Sequence, residues 1–126
     1  MVSAEDGLSV LLVDDDTVLL RAAGRILSRH ATTMTADSAA AARVLLAQHR
    51  FDIVVSDYAM PGEDGLSLLA FVREIYPDAM LILFSGNEFE HGAQAVLDGR
   101  IHEAVPKAVG FDPLVELVQA ARQARG

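Results

Sequence analysis

Five short apolar or β-branched runs, at positions 8–13, 32–35, 51–56, 80–84 and 101–105, alternate through this chain with longer segments of helical periodicity. In the third run Ile53, Val54 and Val55 are contiguous, the pattern of a strand covered on both faces. Between the first two runs, Leu19, Leu20, Ala23, Ile26 and Leu27 recur on one helical face. Strands separated by whole helices cannot pair as tight hairpins. They require crossovers, and crossovers produce a parallel sheet with helices on both sides. The alternation therefore predicts an α/β, doubly wound fold of five parallel strands and five helices. It is read as one domain over 1–126, with its core at about 8–124.

Local signals set the element boundaries. Asp37 or Ser38 is expected to cap a second helix whose Ala41, Val44 and Leu45 face inward. Asp64 caps a third helix carrying Leu68, Leu69, Val72 and Ile75, which Tyr76-Pro77-Asp78 ends. Asn87 or Glu88 opens a fourth, closed by Gly99. Pro113 suits the first turn of a fifth, with Leu114, Leu117, Val118 and Ala121 on its inner face. The short run at 32–35 reads as an edge strand, and Pro106, lacking an N–H, places the last run at an edge as well.

Composition narrows the function classes. A length of 126 residues with 52% apolar and 22% charged residues fits one globular domain. The acidic start, Met1 to Asp6, does not resemble a signal peptide, and no apolar run approaches the roughly 20 residues of a membrane helix. The absence of cysteine excludes disulfides and thiolate metal sites and suits a cytoplasmic setting. A net charge of −8 argues against direct nucleic-acid binding.

Ligands of open α/β sheets bind outside the carboxyl ends of the strands. Four such ends carry chemistry here: the acid run Asp14-Asp15-Asp16, then Asp57, Ser85 and Lys107. Two carboxylates about 4 Å apart repel by roughly 4 kcal/mol at an effective dielectric of 20, so acids gathered at one rim call for a cation. Oxygen donors with no His or Cys beside them suit Mg²⁺, with Mn²⁺ or Ca²⁺ as substitutes. A carboxylate such as Asp57 can attack phosphorus to form an acyl phosphate, and phosphoryl transfer asks the protein mainly for positioning and charge neutralisation. Lys107 supplies a positive charge, Ser85 a hydroxyl donor, and Gly86 leaves its backbone accessible. The plainer reading of each residue is structural: Asp16 as a helix cap, Ser85 bonded to local backbone, Lys107 solvated.

The constellation resembles the receiver domain of bacterial two-component response regulators, of the chemotaxis-regulator kind, over nearly the whole chain. The resemblance is carried by Leu11-Leu12-Val13-Asp14-Asp15-Asp16, by the stretch 51–65 around Asp57-Tyr58-Ala59-Met60-Pro61-Gly62, by Leu83-Phe84-Ser85-Gly86 and by Val105-Pro106-Lys107. It implies a flavodoxin-like sheet of order 2-1-3-4-5. It further implies that Asp57 accepts a phosphoryl group from a sensor histidine kinase or phosphotransfer protein. Mg²⁺ would be held by Asp14, Asp15, Asp57 and the Ala59 backbone carbonyl, with Ser85 and Lys107 contacting the phosphoryl group. Such a protein is a phosphoacceptor switch, not an enzyme beyond self-phosphorylation and autodephosphorylation. It signals to a downstream effector protein or domain, and the resemblance allows a homodimer through the fourth helix, last strand and last helix. The segment Gly99-Arg100-Ile101-His102 resembles receivers attached to cyclic-dinucleotide phosphodiesterase modules.

Two positions depart from the family pattern. Ala104 stands where receivers carry Tyr or Phe, the ring that reports movement of the hydroxyl corresponding to Ser85. Lys107 is followed by Ala108 instead of proline, so its peptide bond is expected to be trans, a cis bond without proline costing about 2.5–4 kcal/mol. Three other readings compete. Asp14-Asp15-Asp16-Thr17-Val18 resembles the opening of haloacid dehalogenase-like phosphatases, with Asp14 as nucleophile and Asp16 as general acid, although the later acid pair of that family is missing. A receiver fold locked in one state would bind a partner without phosphorylation. A flavin-binding relative would need a Ser/Thr- and Gly-rich loop where the acids stand.

Overall fold

The structure, a computed structural model, describes residues 7–86 and 89–125. Strands β1 (Ser9–Val13), β2 (Thr32–Ala36), β3 (Ile53–Ser56), β4 (Met80–Ser85) and β5 (Glu103–Pro106) alternate with helices α1 (Thr17–Leu27), α2 (Ala39–Gln48), α3 (Gly65–Ile75), α4 (Phe89–Leu97) and α5 (Asp112–Arg125). The strands form one parallel sheet in the order β2-β1-β3-β4-β5. This is the expected doubly wound architecture, with β2 and β5 at the edges.

Strand side chains alternate between two cores because successive residues point to opposite faces. Leu11, Val13, Val54, Leu81 and Leu83 pack under α2, α3 and α4, against Leu46, Leu68, Leu69, Val72 and Ala95. Val10, Leu12, Ile53, Val55, Ile82 and Phe84 pack under α1 and α5, against Leu20, Ala23, Leu27, Leu114 and Val118. Both faces of the central strands are therefore dry, which accounts for their unbroken apolar runs.

Several expectations shift in detail. In α2 the buried residues are Ala39, Ala42 and Leu46; Ala41 and Leu45 only flank the core, and Val44 is 57% exposed. A helix starting in a block of alanines carries almost no signal of which side is apolar, and a rotation of one residue turns Val44 outward. Ser38, not Asp37, caps this helix, its hydroxyl accepting from the Ala41 N–H at 3.0 Å. Ile75 ends α3 on its exposed side. β3 and β5 begin two residues later than the apolar runs: Phe51 and Ile101 are buried plugs ahead of the ladder. The predicted first residues of α4, Asn87 and Glu88, lie outside the described residues. Pro106 does end an edge strand, and among the described residues no peptide bond is cis, Lys107–Ala108 included.

Candidate functional site

The site grows from the carboxyl ends of β1 and β3, neighbours at the centre of the sheet. The Asp14 N–H donates to Ala36 O at 3.1 Å, and the Asp57 N–H donates to Val13 O at 2.9 Å, extending the ladders past the last strand residues. These bonds fix both side chains at the rim. Asp14 is 1% exposed and Asp57 7%. Asp14 Oδ1 accepts from the Asp16 N–H at 2.9 Å, which leaves Oδ2 to meet Lys107 Nζ at 2.8 Å. Asp57 Oδ1 accepts from the Tyr58 N–H at 2.9 Å and lies 3.2 Å from the same ammonium.

The acid run divides its work. One carboxylate oxygen each from Asp14, Asp15 and Asp57 fall within 4.8 Å of one another, with Asp15 exposed. Asp16 is turned away and caps α1, its Oδ1 accepting from the Leu19 N–H at 3.1 Å. The structural reading of that one residue holds. It also removes the general acid that a dehalogenase-like phosphatase would need at this position.

Ser85 is the last residue of β4, 2% exposed, and pairs in register with Pro106, so Lys107 follows directly beside it. Lys107 opens a short 3-10 turn through Val109, where the chain leaves the sheet. Ala59 is exposed in the turn two residues after Asp57. That turn is closed by the Gly65 N–H donating to Tyr58 O at 2.8 Å.

Electrostatics follow the geometry. Burial, then the nearby Asp14 carboxylate, push the Asp57 pKa above the ordinary carboxylate value, only partly offset by Lys107 and the Tyr58 N–H. For Lys107, burial acts downward, but the bonds and charge of Asp14 and Asp57 outweigh it and hold the ammonium above its usual pKa. The two acids thus favour the charged lysine, while burial and Asp14 disfavour ionisation of Asp57. Three carboxylates against one ammonium leave two negative charges uncompensated, and the donors are all oxygen. The residues fit a hard divalent cation.

Three contributors escaped the sequence reading. Gly65 has no room for a side chain, since a Cβ there would lie 1.9 Å from Asp57 O. Its place eight residues after Asp57, just behind a helix cap, was the available signal. The Tyr58 N–H orients the acceptor oxygen, a backbone role that side-chain chemistry does not reveal. Arg43 of α2 grips Glu63 through paired bonds of 3.0 and 2.7 Å and stacks 4.0 Å over the Phe71 ring, fixing the turn from outside. No local pattern marks a partner twenty residues away.

Comparison with known proteins agrees with this geometry. The family model of the response regulator receiver domain matches residues 10–119. The hydrogenase transcriptional regulatory protein HoxA of Cupriavidus necator is 33% identical over 119 residues, covering 94% of this chain and 25% of that protein. The chain spans about a quarter of the length of the curated relatives it matches first. The signal receiver domain of an HD domain-containing protein from Pseudomonas fluorescens Pf-5 is 30% identical, with a TM-score of 0.81 and 94% and 96% of the two chains covered. The response regulator TrrA of Thermotoga maritima, solved in complex with Mg²⁺ and BeF, is 26% identical, with a TM-score of 0.74 and 89% and 96% covered. With that match over most of its length and the strand order β2-β1-β3-β4-β5, the chain belongs to the response regulator receiver domain family of two-component systems.

Proposed function

We propose that Asp57 accepts a phosphoryl group from the phosphohistidine of a sensor histidine kinase or phosphotransfer protein, in a Mg²⁺-dependent reaction. The observation that carries this reading is the convergence of Asp14, Asp15 and Asp57 within 4.8 Å, with Lys107 bridging two of them. An Asp57 carboxylate oxygen attacks phosphorus, the bond from phosphorus to the donor imidazole nitrogen breaks, and its electron pair stays on that nitrogen. The product is an acyl phosphate on Asp57. Asp14, Asp15, Asp57 and the Ala59 carbonyl would hold Mg²⁺, which supplies charge neutralisation between acceptor and donor when bound. Lys107 neutralises a phosphoryl oxygen, and the Ser85 hydroxyl donates to another. The Tyr58 N–H orients the carboxylate before the attack.

The intact acid cluster favours a phosphorylation-competent receiver over one locked in a single state. The protein acts in the cytoplasm as one receiver domain and passes its state to a downstream effector protein or linked domain. Both a transcriptional regulator and an HD domain-containing protein carry similar receivers. The face of α4, β5 and α5 serves output, including pairing with a second copy. Intact mass after incubation with Mg²⁺ and acetyl phosphate tests the reading. One added phosphoryl group is expected for the native chain and none for Asp57→Asn; stoichiometric labelling of Asp57→Asn would put the acceptor elsewhere.

A further inference from the structure

The aromatic position of receivers is filled here by Ala104, and α4 packs closely against it. Gly92 of α4 faces it so closely that a Cβ on Gly92 would lie 2.9 Å from Ala104 Cβ and 3.0 Å from Leu83 Cδ2. Two small residues let α4 press directly onto β5. The residue before Gly92 in the helix, His91, stacks on Tyr58: the ring centroids are 4.8 Å apart and the planes differ by 7°. Tyr58 is the residue whose N–H holds Asp57 Oδ1 at 2.9 Å. Between α3 and α4 lies an open cleft of about 1140 Å³, lined by Leu66, Ala70, Arg73 and Leu97 as well as by Tyr58 and His91. Across its mouth, the Tyr58–His91 stack links the turn after Asp57 to α4.

We infer that His91 is a positioning residue for Asp57, acting through Tyr58, and that the same stack carries the state of Asp57 to α4 in place of an aromatic at 104. This rests on the phosphoacceptor reading above. Modification of Asp57 changes what Oδ1 can accept, and the Tyr58 N–H must follow its acceptor. Because the Tyr58 ring is stacked on His91, a shift of the Tyr58 backbone carries His91 and the first turn of α4 along. If the stack couples the two, loosening it must change both the affinity at Asp57 and the response of α4. A merely structural residue would not move both together.

The experiment measures beryllofluoride affinity in the presence of Mg²⁺, and amide hydrogen exchange across α4, for the native chain, His91→Ala, His91→Phe and Asp57→Asn. His91 is exposed, so its substitution spares the core. His91→Ala is expected to weaken beryllofluoride binding about two- to tenfold, the range an aromatic pair supports. It should also abolish the change in α4 exchange on binding, while His91→Phe restores both. Native affinity and native α4 response in His91→Ala, or equal losses in His91→Phe, would overturn the inference while leaving the phosphoacceptor reading intact. A native chain that binds no more beryllofluoride than Asp57→Asn would overturn both.

Discussion

Lys107 Nζ lies 2.8 Å from Asp14 Oδ2, closer than its 3.2 Å approach to Asp57 Oδ1. The lysine is therefore committed first to Asp14, and stands beside the acid proposed above as the phosphoacceptor. Without it, three carboxylates would share the rim uncompensated.

Lys107→Ala should accordingly destabilise the metal-free protein. Breaking a buried pair costs about 3–5 kcal/mol, and a lysine side chain 22% exposed lowers that to about 1–3 kcal/mol. A divalent cation would then do more for the variant than for the native chain, because it replaces the missing charge. Thermal melts with and without Mg²⁺ check this: the rise in Tm on adding Mg²⁺ should be larger in Lys107→Ala. An equal rise would mean that the ammonium and the cation do not compensate the same charge.

Asp57→Asn should raise stability at neutral pH by a few degrees in Tm. Burial and Asp14 place the folded-state pKa of Asp57 above its unfolded value. A carboxyl shifted in this direction binds its proton more tightly in the folded chain, so ionisation opposes folding. The penalty is absent below the unfolded pKa. It grows as pH rises through the window between the unfolded and folded values, and is fully present above it. The stabilising effect of Asn should therefore vanish in acid and reach a plateau at neutral pH. Urea unfolding of both proteins across that range measures it, and a pH-independent difference would point to packing instead of charge.

The fold was largely legible because both faces of the sheet are buried, so the strands declare themselves as unbroken apolar runs such as Ile53-Val54-Val55. The helix caps were legible too, since Asp16 and Asp64 combine the right oxygen with the right spacing. What stayed hidden was orientation within alanine-rich segments, where Val44 and Ala42 offer equal claims to the core. In the site, residue types at strand ends announced Asp14, Asp57 and Lys107. That Asp14 is buried against Lys107 while Asp15 stays exposed could not be read, because adjacent identical side chains differ only in the backbone angles that aim them. The Gly92–Ala104 approach was half visible: Ala104 stood out as a departure, but its partner lies in another element.

Arg43 and Glu63 offer a third test. Their paired bonds and the Ser67 hydroxyl hold the Glu63 carboxyl below its ordinary pKa and, in return, Glu63 raises that of Arg43. The pair is partly exposed, so a double-mutant cycle with Arg43→Met and Glu63→Gln should return a coupling of only about 0.5–1 kcal/mol. A depressed carboxyl contributes above its unfolded pKa and loses that contribution as pH falls through the folded value. The coupling should thus fade in acid, opposite in sense to the Asp57 effect. A cycle that gives no coupling at neutral pH would leave Arg43 holding the turn only through its contact with Phe71.

Two glycines separate steric from conformational constraint in the turn after Asp57. Gly62 has φ of +90° but open space around its missing Cβ, whereas a Cβ on Gly65 would meet Asp57 O at 1.9 Å and the Ser56 hydroxyl at 2.9 Å. Gly62→Ala should cost only the left-handed backbone penalty, about 1–2 kcal/mol. Gly65→Ala cannot be absorbed by a side-chain rotation, because the nearest atom is the backbone carbonyl oxygen of Asp57. Relief requires moving α3 or the turn that carries Tyr58 and Ala59, so the cost should reach about 3 kcal/mol, the upper end of overpacking. The same movement disturbs the Tyr58 N–H and the Ala59 carbonyl, so Mg²⁺ affinity should fall in Gly65→Ala and hold in Gly62→Ala. Urea midpoints and Mg²⁺ titrations of the two variants decide it. If Gly62→Ala proved the more damaging in both, the turn would be governed by its backbone angles, and the close packing of Gly65 on Asp57 would not be what holds the acceptor in place.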